Sequence, residues 1–369
     1  MIRANNTDLT IILVLKGRDD FTFRWFEYAK KINFPYKIIV ADGGDNSDLE
    51  NKLSEKEYYM YVNYKYIKYP FDKTYKIYYS KILKSLLKVE TPYVLLASND
   101  DFYFLDAIVK SLDFLKKNSD YVSARGEIWD FSVFPNSFFK DKSPIYGNIF
   151  GISKLYHHPT VMGNNAMERV IDFTKKSNSM WHDIVKTEHL KEAYEDLVKS
   201  NIYDFALYET TINYSLATKG KIKREKGLFM LHQCHSNMAA LKDLYSSPLE
   251  WINSPGWKKD FNKFLDLVAS KISKEDKINF YESKYKLNEA YFNLTLINKL
   301  KSFTSPGTKD LRNKIDLFVF IKKLLSKNHS IFKASKLIYN IFFKPNKYDN
   351  KIPTTFFSKI NAIENFLKQ

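Results

Sequence analysis

Between residues 9 and 125, short apolar runs alternate with stretches of helical periodicity. Leu9–Leu15, Tyr36–Ala41, Tyr93–Leu96 and Tyr121–Arg125 are rich in β-branched and large apolar residues and have strand length. Between them lie helical patterns. Phe23, Phe26, Ala29 and Ile32 recur at about 3.6 residues until Pro35 stops them. Asn46-Ser47-Asp48 caps a short helix ending near Leu53, and Thr74–Val89 carries Ile77, Ile82, Leu83, Leu86 and Leu87 on one side. Leu105, Ile108, Leu112 and Leu115 mark another helix. Tyr58–Tyr66, alternating aromatic and polar, reads as an edge strand. Strands separated by helices pair in parallel, because a crossover is needed to bring the chain back. The expected fold class is therefore α/β, a mostly parallel sheet flanked by helices.

Past residue 125 the pattern changes. Ser132–Pro159 is aromatic and irregular, while Met167–Lys175, Glu188–Lys199 and Asp204–Thr218 read as helices. Gly220–Arg224 breaks the last of these, and Leu228–His232 is a short strand. Beyond Trp251 the chain is helical, with Phe261, Phe264, Leu265, Leu267 and Val268 on one helix. A boundary near Leu244–Pro248 divides the chain into a domain over 1–245 and a helical, basic region over 246–369. The net charge is +16. Residues 301–369 hold 14 Lys and Arg against 4 Asp and Glu, so +10 of it lies there and 16 − 10 = +6 elsewhere. From Leu311 onward the lysines are interleaved with Phe, Ile and Leu, as on a helix that lies on an anionic membrane; ordinary packing helices with a basic outer face are the alternative. No nucleic-acid-binding module accompanies the charge. One cysteine, Cys234, excludes an internal disulfide and a zinc site built on cysteines. No leader-like start and no membrane-length apolar run is present, so a cytoplasmic location is expected, peripheral on the inner membrane face if the basic region binds there.

The chemistry concentrates where Tyr93–Leu96 ends in Asn99-Asp100-Asp101. In open α/β sheets ligands bind beyond the carboxyl ends of the strands. Adjacent carboxylates there suit a hard divalent cation, Mg²⁺ or Mn²⁺, which in turn suits a diphosphate. The plainer alternative is a loop in which an Asp caps the next helix. Asp42 closes the second strand before Gly43-Gly44 and is either a ligand contact or an Asp-Gly turn. Lys16 and Arg18 follow the first strand and offer cations to a phosphate, or else line a solvated loop.

Four segments together resemble a GT-A glycosyltransferase of a bacterial group related to family 2: the first strand into Lys16-Gly17-Arg18; Ile39-Val40-Ala41-Asp42-Gly43; Tyr93–Leu96 into Asn99-Asp100-Asp101-Phe102; and a helix from Tyr208-Glu209 to Gly220. The likeness spans roughly residues 8–240. It departs from the family at Lys16-Gly17-Arg18 and at Asn99, where an Asp is usual. The resemblance implies a nucleotide-sugar donor, a glycan or lipid-linked acceptor and a cell-surface polysaccharide product. It implies Asp101 as metal ligand with His232 completing the shell, a structural histidine being the alternative for His232, and Asp100 and Asn99 at the donor ribose. Asp42 would contact the nucleobase, and Lys16, Arg18 and Lys81 the nucleotide or diphosphate; solvent exposure is the alternative for Lys81. An inverting transfer needs a carboxylate to take the acceptor proton. Glu209 and Asp204 are the candidates, Glu209 having the family's spacing to Gly220 and Asp204, at the start of the helix, having a plain cap as its alternative. Two rivals are a sugar nucleotidyltransferase, for which the loop after strand one is poor in glycine, and a non-catalytic binding protein of the same ancestry.

Overall fold

The computed structural model describes residues 6–45, 47–55, 61–135, 145–154, 159–175, 179–235, 252–296 and 352–368. The first half runs β1 (Asn6–Leu15), α1 (Asp19–Lys31), β2 (Tyr36–Asp42), α2 (Ser47–Ser54), β3 (Tyr64–Lys68), α3 (Tyr75–Leu86), β4 (Tyr93–Ala97), β5 (Phe102–Tyr103), α4 (Leu105–Lys117) and β6 (Tyr121–Pro135). There follow β7 (Gly147–Lys154), α5 (Ala166–Lys175), β8 (Ile184–Lys186), α6 (Thr187–Ser200), α7 (Phe205–Lys219) and β9 (Lys221–Gln233). The remaining helices are α8 (Trp257–Asp276), α9 (Phe280–Ala290) and α10 (Phe357–Leu367).

The nine strands among the described residues join one sheet in the order β3-β2-β1-β4-β8-β6-β9-β5, with β7 paired to β6. β3, β2, β1 and β4 are mutually parallel. β8 runs against both β4 and β6, so β6 and its parallel neighbour β9 point the same way as β4. With β5 and β7 also reversed, 9 − 3 = 6 strands share one direction. The sheet is mixed and mostly parallel, as the strand–helix alternation requires.

Both faces are covered, which is why the strands read as continuous apolar runs. Along β1, Ile12 and Val14 enter a core beneath α3, α5, α6, α7 and α8. Leu9, Ile11, Leu13 and Leu15 enter the opposite core, under α1, α2 and α4. A third cluster joins Phe102, Phe131 and Leu231 to Ile360, Ile363 and Phe366 of α10. Thus helices from beyond residue 252 pack directly on the sheet core.

Two strands are longer than their sequence patterns suggest. β6 continues past Arg125 through Trp129 and Phe131, and β9 begins at Lys221, in a segment read as a break. The polar Lys221–Lys226 stretch is a strand because it pairs with β6, whose partner residues supply the ladder. No helix among the described residues is long and apolar enough to cross a membrane. Of the basic stretch from Leu311 onward, residues 311–351 lie outside the described residues.

Candidate active site

The loops after β1, β2 and β4 meet at one end of the sheet. β1 ends in Gly17 and Arg18, both left-handed at φ 76° and 63°. A non-glycine residue there is strained unless its surroundings fix it. Asn99 does so. Its amide nitrogen donates to the carbonyls of Gly17 (3.4 Å) and Arg18 (3.1 Å) and to the Thr22 hydroxyl (2.9 Å). Three acceptors converge on one buried side chain, and an aspartate could not donate to them. The departure from an acidic trio is therefore a staple between β4 and the β1–α1 turn.

Asp100 and Asp101 follow and are both buried, but their surroundings differ. Asp100 is ion-paired with Arg18 and accepts from His235 Nε2 at 2.9 Å. Burial opposes its ionisation, yet the His235 hydrogen bond and the Arg18 charge hold the carboxyl well below the ordinary range. Its backbone carbonyl accepts from Arg24 at 3.1 Å. Arg24, fully buried, also donates to the Gln233 side chain (2.6 Å) and the Ile145 carbonyl (2.7 Å), between the rings of Phe21 and Phe102. Burial lowers its pKa to about 10.

Neither Asp101 oxygen accepts a well-formed hydrogen bond among the described residues, and the Gln233 backbone amide is only a minor pull on its charge. Burial, reinforced by Asp100, pushes its carboxyl up to about 8 against the pull of His232 and Arg18. His182 Nδ1 lies 3.9 Å from Asp101 and 3.0 Å from the Tyr103 hydroxyl, and burial lowers that imidazole to about 3. His232 is held at Nδ1 by Asp130, 2.8 Å away. Burial disfavours its charge, but Asp101 and Asp130 outweigh that and raise its pKa well above the usual value. An orphaned carboxylate beside an imidazole that a second carboxylate orients fits a divalent cation. Asp101 and His232 would hold it.

The β2 end is built on close approach. Asp42 accepts from the Gly44 amide (2.7 Å), the Tyr66 hydroxyl (2.7 Å) and Lys68 (2.9 Å). A Cβ on Gly43 would lie 2.3 Å from the Asp72 carboxylate, so only glycine fits. Lys81 is not solvent-exposed. Its ammonium is buried against Asp72 and donates to the Leu15 carbonyl at 2.6 Å, so it braces the β1 end instead of offering a free cation to a diphosphate. Lys16 is exposed on the same turn.

The two base candidates also separate. Asp204 caps α7, accepting from the Leu207 amide at 2.9 Å, and is buried. That carboxylate caps its helix, the plainer of the two roles the sequence offers it. Glu209 is partly exposed and accepts from the Ser179 hydroxyl at 3.1 Å. Residues 179–183 carry Ser179 at one end and His182, which faces Asp101, near the other. The segment is anchored by Asp183, which accepts from Ser123 (2.7 Å), Arg125 (2.8 Å) and Arg224 (2.8 Å). Trp181 stacks on Tyr78 in the same region.

Sequence reasoning brings Arg18, Asn99, Asp100, Asp101 and His232 to this end of the sheet, and the structure gathers them there. It missed Asp72, Arg24 and Asp130. The sequence carries no signal for any of them: that Asp130 and His232 are register partners on neighbouring parallel strands appears only in the folded sheet.

In fold the chain is similar to S. aureus TarS 1-349, at TM-score 0.48 and 13% identity over 82% of this chain and 77% of that one. The same fragment in complex with UDP-GlcNAc gives 0.46 and 15%, over 82% and 77%. GalNAc-T7 with UDP, GalNAc and Mn²⁺ gives 0.41 and 12%, over 80% and 58%. No protein-family model matches the chain, and no curated protein matches it.

Proposed function

We propose that this protein is a glycosyltransferase that moves a sugar from a nucleotide-activated donor to a cell-surface polysaccharide or lipid-linked glycan, with inversion and with Mg²⁺ or Mn²⁺. The observation that carries the reading is Asp101: a buried carboxylate at the carboxyl end of β4 whose two oxygens lack hydrogen-bond partners among the described residues, facing His182 and within the electrostatic reach of His232, which Asp130 orients. A buried carboxylate without partners is costly, and a cation is the natural relief.

In this reading Asp101 and His232 hold the cation, which when bound offsets charge on the leaving diphosphate. Arg18, fixed by Asp100 and by the turn that Asn99 staples, stands at the same end of the sheet and steadies the donor phosphates. Asp42 and Lys68 form the polar edge at which the nucleoside binds. Glu209 takes the proton of the acceptor hydroxyl as its oxygen bonds to the sugar carbon. The bond from that carbon to the diphosphate oxygen breaks, and the nucleoside diphosphate leaves with the electron pair. The basic segment that precedes α10, from residue 301 onward, keeps the enzyme at an anionic membrane face near lipid-linked acceptors.

Thermal unfolding with nucleoside diphosphates and Mn²⁺ tests the reading. A ligand at a hundred times its Kd adds about 2.7 kcal/mol to native stability. The wild type should be stabilised by one diphosphate plus Mn²⁺, and Asp101→Asn should lose the Mn²⁺-dependent part while remaining folded. A wild type indifferent to every nucleoside diphosphate would overturn the proposal and leave a non-catalytic protein.

A further inference from the structure

The geometry points to a second metal site, for a borderline cation such as Zn²⁺, formed by Asp130, His232 and Cys234. Asp130 on β6 is the register partner of His232 on β9. Cys234 lies two residues beyond His232, so both side chains leave the same face. The backbone there is fixed: the Cys234 amide donates to the Phe131 carbonyl at 2.8 Å. One ligand atom from each residue lies within 4.8 Å of the other two, and all three residues are partly exposed, so an ion can reach them from solution.

The separations suit a tetrahedral ion. Zinc bond lengths with a tetrahedral angle place carboxylate oxygen and imidazole nitrogen about 3.4 Å apart, and thiolate sulfur and nitrogen about 3.6 Å apart. Asp130 Oδ1 and Cys234 Sγ stand 2.8 Å and 3.9 Å from His232 Nδ1. An ion taking the place of the shared proton would open the first gap and close the second by only about half an ångström. Three protein ligands leave one position for water, and the displaced protons go to solvent. A thiolate, an imidazole and a carboxylate favour zinc over Mg²⁺, which prefers oxygen alone. Asp101 lies outside this group.

The site has a consequence that rests on the glycosyltransferase reading. His232 serves both positions, so Zn²⁺ bound through Nδ1 draws the imidazole toward Asp130 and Cys234. The cation at Asp101 then loses a ligand, and excess Zn²⁺ inhibits.

The binding claim is tested without any donor. Co²⁺ titrated into the full-length protein should give a thiolate-to-cobalt charge-transfer band at one equivalent, abolished by Zn²⁺ and unaffected by Mg²⁺. Cys234→Ser should remove the band, Asp130→Asn should weaken binding at least tenfold, and Asp101→Asn should leave the band intact. Because Cys234 is the only cysteine, alkylation of the unmodified protein gives a second readout: Zn²⁺ should slow it and Mg²⁺ should not. Absence of the band in the wild type, its survival in Cys234→Ser, its loss in Asp101→Asn, or alkylation indifferent to Zn²⁺ would each overturn the site.

Discussion

Changing Asn99 to Asp would make the segment read as three consecutive acidic residues, and the structure says this harms the protein. The Asn99 amide makes two full hydrogen bonds, at 3.1 and 2.9 Å, and a weak third at 3.4 Å. Losing the two good ones costs about 2 kcal/mol. The new carboxyl would also be buried, facing two carbonyl oxygens and next to Asp100, for a further cost of about 1–3 kcal/mol. The expected loss is about 3–5 kcal/mol for Asn99→Asp, against about 2 kcal/mol for Asn99→Ala, which removes the bonds without adding charge. The pH dependence has a definite sign. Burial and Asp100 raise the folded pKa of the new carboxyl above its unfolded value, so its penalty is absent below the unfolded pKa, grows as pH rises from there, and levels off above the folded one. A neutral carboxyl can also donate one of the lost bonds. Urea unfolding of wild type and both variants at about pH 5 and about pH 7.5 should show a smaller Asp penalty at the lower pH and no such trend for Ala. An Asn99→Asp protein as stable as wild type, or one whose deficit matches that of Asn99→Ala at both pH values, would refute the staple.

Glu209→Gln should lower kcat by about 10²–10⁴ with little change in stability, whereas Asp204→Ala should keep activity and lose about 1 kcal/mol in denaturant melts as α7 loses its cap. Lys81→Ala strands Asp72 in the interior and should cost about 3–5 kcal/mol; a variant with full stability and a raised donor KM would show that Lys81 meets the donor after all. With Asp101 raised to about 8, cation binding displaces at least one proton. Calorimetric Mn²⁺ affinity should therefore climb at least about tenfold per pH unit below that value, and more steeply where His232 must also shed its proton; a flat profile would contradict the assignment of Asp101.

The first half of the fold was legible because β1, β2 and β4 are buried on both faces and their helices carry one apolar stripe each. β8 was not, since Ile184–Lys186 is three residues long and is a strand only because β4 and β6 flank it. Within the site, the acidic cluster announced itself by its place after an apolar run. What separates Asp100 from Asp101 was invisible: Arg18 and His235 lie 82 and 135 residues from Asp100. Only the tertiary structure decides which carboxylate is paired and which is left bare. The Asp204 cap was legible as a carboxylate at a helix start, whereas the Ser179 contact of Glu209, 30 residues away in the chain, was not.

The ring of Phe102, the residue after Asp101, lies edge-on to Phe366 of α10, with centroids 6.0 Å apart, and Tyr28 meets Phe366 at 5.7 Å. The floor beneath the carboxylate is thus supplied by a helix that the ribosome makes long after β4. The distance from Asp101 to Phe357 is 357 − 101 = 256 residues, about 13–50 s of synthesis at ordinary elongation rates. Throughout that interval the nascent sheet carries its acidic edge on an unfinished aromatic layer. Maturation of the site is therefore a late event in the life of the chain, and a stalled or clipped product lacking α10 would emerge with its most charged strand end unsupported.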